Sequence, residues 1–103
     1  MEFLEPWYPL EQDPEFFQQE LRAEVGTAHV LYGREMRAIA RRYDCDDVLF
    51  VSADEPQIVA VVHLTYARHP EPNPDYPTTT VFESIDDWIE RGMKVDREYL
   101  GEP

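Results

Sequence analysis

Arg41, Asp46, His63 and Thr65 are the residues of this sequence whose types and spacing come nearest to forming a site. A guanidinium, a carboxylate, an imidazole and a hydroxyl brought together can hold a small anion, or do general acid/base work through the histidine. They meet if the apolar runs around them pair as antiparallel strands. A loop over Tyr43 to Asp46 sets Arg42 opposite Asp47 and Arg41 opposite Val48, and a loop over Asp54 to Gln57 sets Val48 opposite His63. Arg41, Val48 and His63 then form a row across three strands, with Thr65 opposite Asp46 one step along. No nucleophile stands among them, so the four are read as ligand-binding and no catalytic residue is assigned.

Other chemistry finds less support. Cys45 lies between Asp44 and Asp46, and neighbouring carboxylates disfavour the thiolate that a nucleophile or metal ligand needs. His29, His63 and His69 lack the short spacings of zinc sites, and Asp44, Asp46 and Asp47 lack the glycine and distal Glu of a calcium loop. Glycine-rich phosphate loops, a zinc-protease helix and a nucleophile elbow are all missing. No cofactor and no metal are expected.

The elements that must position these residues centre on Asp47 to Ala67, where two runs rich in Val, Ile, Leu and Phe flank Asp54, Glu55, Pro56 and Gln57. This is a β-hairpin pattern. In the register above, Leu49, Val51, Ala53, Ile58, Ala60 and Val62 make one wholly apolar face, while Val48, Phe50, Val59 and Val61 share the other with Ser52, His63 and Thr65. Arg34 to Tyr43 fits a helix by spacing, but as a strand it pairs with Asp47 to Ala53 with every apolar residue on the correct side. A third strand also meets the marginal stability of a lone hairpin, so a strand is expected.

Around this meander, Met1 to Gln12 reads as an extended arm, broken by Pro6 and Pro9, whose aromatics dock on the body. Asp13-Pro14-Glu15 starts a helix over Pro14 to Val25, with Gly26 as its stop and Phe17, Leu21 and Val25 as its apolar stripe. His29 to Tyr32 is an edge strand or a docked loop, and Ala67 to Thr80 is a proline-rich connection over the surface. Ser84 caps a last helix whose Ile85, Trp88 and Ile89 face the core; Gly92 terminates it, and Asp96 caps a final turn. The fold expected over residues 1–103 is one α+β domain: an antiparallel meander of three to four strands with an N-terminal and a C-terminal helix, chiefly on one face. The other, half-apolar face then needs a cover, and a homodimer would supply one.

Charge bounds the partners. Acids outnumber bases 22 to 9, a net charge of -13, which disfavours nucleic acid and anionic membranes and favours a basic protein partner. With one cysteine, no basic leader-like N-terminus and no long apolar run, a soluble cytoplasmic protein is expected.

Three segments carry a resemblance: Ala40 to Phe50 (ARRYDCDDVLF), Val61 to Thr65 (VVHLT), and Tyr76-Pro77 followed by Phe82-Glu83-Ser84. Over roughly residues 28 to 97 the chain resembles a group of small uncharacterised bacterial proteins with an R-x-D-x-D-D-V-L-F stretch before V-V-H-L-T-W; Tyr66 and Tyr76 stand where that pattern tends to have Trp. The resemblance implies the three-strand arrangement and no particular activity. Two readings of function follow. The first is a protein-binding module, such as an immunity or antitoxin-like inhibitor of a basic partner; the second is a small enzyme or ligand-binding domain using Arg41, His63 and Thr65.

Overall fold

β-branched and aromatic residues are frequent in the strands Asp47–Ser52, Val59–His63 and Thr78–Phe82, and the chain forms one antiparallel sheet with its strands in sequence order. The computed structural model describes residues 2–54 and 57–100, so the turn expected at Pro56 lies outside the described residues. The elements are β1 (Trp7–Pro9), α1 (Pro14–Glu24), β2 (Met36–Arg42), β3 (Asp47–Ser52), β4 (Val59–His63), β5 (Thr78–Phe82), α2 (Ile85–Trp88) and α3 (Lys94–Leu100). The α+β class and the strand over Arg34 to Tyr43 are as expected. The sheet, however, has five strands where three to four were expected. Its additional strands come from the N-terminal arm, which pairs Trp7 with Arg42 and Pro9 with Ala40, and from the end of the proline-rich connection.

His29 to Tyr32 is not a strand. Its amides close turns locally, from His29 to Gly26 and from Tyr32 to His29, and the buried His29 ring takes over the remaining contacts. Nδ1 accepts from the Leu31 amide at 3.0 Å, so Nε2 carries the proton and donates to the Pro77 carbonyl at 2.9 Å. The loop is thereby tied to the start of β5.

The β3–β4 register differs from expectation by one residue: Val48 faces Val62, Leu49 faces Val61 and Asp47 faces His63. Side chains explain the shift. Ala53 donates its amide to the Glu35 carbonyl and stays with β2, while the Ser52 hydroxyl accepts from the Ile58 amide at 2.8 Å. The connection therefore needs one more residue than a loop over Asp54 to Gln57. Between β2 and β3 the expected pairs Ala40–Leu49 and Arg41–Val48 form, but a bulge at Ile39 then offsets Ala38 to Phe50. A bulge reverses which side chains point to which face. Ala38 therefore joins one core cluster and Ala40 the other.

Both sheet faces are covered, and the helices do not lie on one face. Phe17 and Leu21 of α1 pack on Met36, Val48, Phe50, Ala60 and Val62. On the opposite face Trp88 and Met93 pack with Trp7, Ala40, Leu49, Val59 and Phe82, and Phe3 and Leu4 close the rim. The half-apolar face that argued for a homodimer does not form: Val48 and Phe50 lie under α1, while Val59 and Val61 lie on the Trp88 side.

Ser84 caps α2 as expected, accepting from the Asp87 amide at 3.0 Å. Gly92 does not end the helix. The chain passes from α2 through a π-helical turn, Ile89–Met93, into α3. There Asp96, which was expected to cap a final turn, accepts from Trp7 Nε1 at 2.9 Å and pairs with Arg42. A Cβ on Gly92 would lie 2.6 Å from Trp88 Cδ1 and 3.3 Å from Phe82 Cζ, so the glycine makes room for the buried tryptophan. Gly92→Ala therefore sets a helix-propensity gain of about 1 kcal/mol against overpacking of about 1–3 kcal/mol. Net destabilisation is expected, with a changed Trp88 emission, in urea unfolding followed by tryptophan fluorescence; a stabilised variant would refute the packing role.

Candidate functional site

The bulge at Ile39 turns Arg41 towards α1, where its guanidinium lies 5.0 Å from the centre of the Phe17 ring. Its Nε is buried with no hydrogen-bond partner among the described residues. Arg41 lines an open groove of about 790 Å³ between β1 and α1, together with Tyr8, Glu11, Asp13 and the exposed Phe16. Asp13 was expected to cap α1 through its side chain. It holds the cap position with φ 53°, in the left-handed region, and its carboxylate makes no capping hydrogen bond. The acid faces the groove instead of the helix.

Tyr66 stands at the far side of Phe16, with the two rings stacked at 6.4 Å. Burial, the largest cause, pushes its phenol pKa up; Arg41 pulls it down, while Asp46, Glu24 and Glu20 push it up. Tyr66 and Arg68 both have positive φ, 59° and 65°. A non-glycine residue in that region is held there by its surroundings, and here the holders are two glutamates of α1. Glu24 is fully buried and accepts from the Thr65 amide, the Thr65 hydroxyl and the Tyr66 amide at 2.8–3.0 Å, while Glu20 accepts from the Arg68 amide at 3.0 Å.

Of the four residues expected to form a site, Arg41 lies over Phe17 in the groove, Thr65 is bonded to Glu24 next to Tyr66, and Asp46 is exposed in the loop between β2 and β3. His63 does not join Arg41. Because Val62 and not His63 stands opposite Val48, His63 points to the other sheet face, and the row of Arg41, Val48 and His63 does not form. Its Nδ1 lies 2.8 Å from the carboxylate of Asp47, its cross-strand neighbour. An imidazole so held can act as a base through its second nitrogen. Burial pushes the nearby Cys45 thiol up, which keeps it a poor nucleophile.

Glu20, Glu24 and Tyr66 were not singled out from sequence, although a signal existed. Phe17, Glu20, Leu21 and Glu24 follow helical spacing, which puts both acids on the apolar stripe. The Thr65 hydroxyl has one proton and lies between Glu24 Oε1 at 3.0 Å and Glu71 Oε1 at 2.8 Å, so it can donate to only one of the two at a time.

Burial first, and Glu20 second, push the Glu24 pKa above its ordinary 4.5, against the weaker pull of the Thr65 and Tyr66 hydrogen bonds. A carboxyl raised in the folded state binds its proton more tightly there than when unfolded. Its contribution to stability is complete below 4.5 and is lost as pH rises through the raised value. Asp44, held low by its hydrogen bond to Arg42, has the opposite sign and acts only as pH falls through 3.8 and below, so the two windows separate. Glu20→Gln keeps an acceptor for the Arg68 amide and removes the neighbouring acid that helps to push Glu24 up. Urea unfolding as a function of pH should lose part of its decline above 4.5 in this variant; an unchanged profile would exclude that influence of Glu20.

No family model, no curated protein and no solved structure matches this chain.

Proposed function

We propose that this chain is an acidic binding module that captures a basic protein partner, in the manner of an immunity or antitoxin-like inhibitor. One observation carries the reading: five of the nine lysines and arginines are paired with the chain's own acids. Arg34 pairs with Asp54, Arg42 with Asp44 and Asp96, Arg91 with Asp87, Lys94 with Glu90, and Arg97 with Glu5. Each exposed pair adds little stability. Together they leave an exterior dominated by carboxylates such as Glu11, Glu15, Asp46, Asp75 and Glu83, on a chain of net charge -13. Such a field speeds encounter with a positive partner and rejects polyanions. A labelled hexalysine peptide should bind in fluorescence anisotropy at low salt and weaken steeply as salt rises, while a hexaglutamate peptide and duplex DNA should not bind. Equal binding of the acidic peptide would defeat the proposal.

The groove favours a second reading, a small-ligand domain. Arg41 supplies a cation whose Nε is buried and unpartnered, beside the rings of Phe17, Phe16 and Tyr8. That combination suits an aromatic carboxylate. Under this reading millimolar benzoate shifts the amide resonances of Tyr8, Phe17 and Tyr66, and Arg41→Gln abolishes the shifts while leaving hexalysine binding intact. The absence of any benzoate-dependent shift would remove it.

A further inference from the structure

A sheet of five strands has two edges, and here they are built differently. β1 is three residues long, follows Pro6 and ends on Pro9, so the edge is short and lacks amide donors where the prolines stand. Those are the usual devices that keep an edge from pairing with another chain. β5 has none of them. It reads Thr78-Thr79-Thr80-Val81-Phe82, with no charge, no proline and no glycine, and it pairs with β4 without a bulge from Val59–Phe82 to His63–Thr78. Thr78, Thr80 and Val81 are exposed. Among the described residues no backbone hydrogen bond joins β5 to anything except β4, so its outward amides and carbonyls face solvent.

Carboxylates flank this neutral edge. Exposed Asp75 lies shortly before the strand, exposed Glu83 directly follows it, and Asp86 is exposed in the first turn of α2. The nearby Arg91, over the Phe82 ring, is held by Asp87. Two occupants fit an open edge: a second copy of the chain, or an extended segment of another protein. A two-fold antiparallel pairing centred on Thr80 would set each Glu83 against the other copy's Pro77, two residues from Asp75, and would bring two chains of net charge -13 together. Charge opposes that and favours a positive guest.

We propose that the outer edge of β5 is a strand-addition site for an extended, basic segment of a partner protein. Main-chain hydrogen bonds along the edge supply the affinity. The carboxylates at its ends select lysine or arginine flanking a core of β-branched residues. The inference rests on the reading of the chain as a module for basic partners and adds where and how the partner docks.

The test uses three labelled peptides: alternating threonine and valine flanked by lysines; the same charge with prolines in place of the valines; and the alternating core flanked by glutamates. The first should bind, slow hydrogen exchange at alternate amides of β5, and bind at least about tenfold more tightly than the proline peptide, which cannot pair. Val81→Lys at the exposed edge should weaken it about tenfold, whereas Glu15→Lys, a larger change of charge near the opposite edge, should weaken it no more than about threefold. Thr80→Lys serves as the second variant. The exchange measurement uses the unaltered chain, so it decides even where a variant fails to fold. If both basic peptides bind equally and β5 exchange is unchanged, strand addition is wrong while capture of basic partners stands. If neither basic peptide binds, or the glutamate peptide binds as well, both readings fall. β5 amides already protected in the free protein, with a dimer mass in sedimentation, would give the edge to a second copy and overturn the proposal.

Discussion

Val48, Leu49 and Phe50 are consecutive in β3, and none of them has any measurable exposure to solvent. Because successive side chains of a strand point to opposite faces, this single fact requires cover on both sides of the sheet. Each large side chain so buried contributes on the order of 1.5–3 kcal/mol relative to exposure. α1 supplies one cover through Phe17 and Leu21, and the helical stretch from α2 to α3 supplies the other through Trp88 and Met93. The N-terminal arm has to reach the second face as well, and Trp7 packs edge-on against Trp88 at 5.3 Å. The ends of the chain are thereby joined, with Asp96 accepting from the indole of Trp7 and pairing with Arg42.

The bulge at Ile39 couples this core to the candidate site. Without it, Arg41 would share a face with Ile39 and Arg37 in strict alternation from Ala38 onward. With it, Ala40 enters the Trp88 cluster and Arg41 lies over Phe17 beside the groove. One inserted residue thus decides that the guanidinium faces α1. The loop after β4 reaches the same region because Glu24 and Glu20 satisfy its amides at Thr65, Tyr66 and Arg68. A buried carboxylate without such partners would be costly. The hydrogen bonds offset that cost and hold two residues in a backbone conformation that few side chains accept.

The two ends of the sheet are built differently. Near β1, a short proline-flanked strand, an unpartnered arginine nitrogen and exposed rings form a groove suited to small or side-chain contacts. At β5, an unblocked neutral strand between carboxylates presents main chain. The surface charge acts on both, since it falls off only over about a Debye length of 8–10 Å in ordinary salt.

Local chemistry in the sequence determined the α+β class, the start of α1 at Pro14, the Ser84 cap, the buried role of Trp88 and the strand over Arg34 to Tyr43. It also determined the charge. These follow from proline geometry, capping and period-two apolar spacing, which act over a few residues. Strand register was not determined in this way, because a shift of one residue leaves every apolar run intact and moves each side chain to the other face. Only the tertiary structure decided it, through the Ala53 amide bonded to Glu35, the Ser52 hydroxyl bonded to Ile58 and the bulge at Ile39. Those contacts join residues that are distant in sequence or differ by one position in a loop. They separated His63 from Arg41.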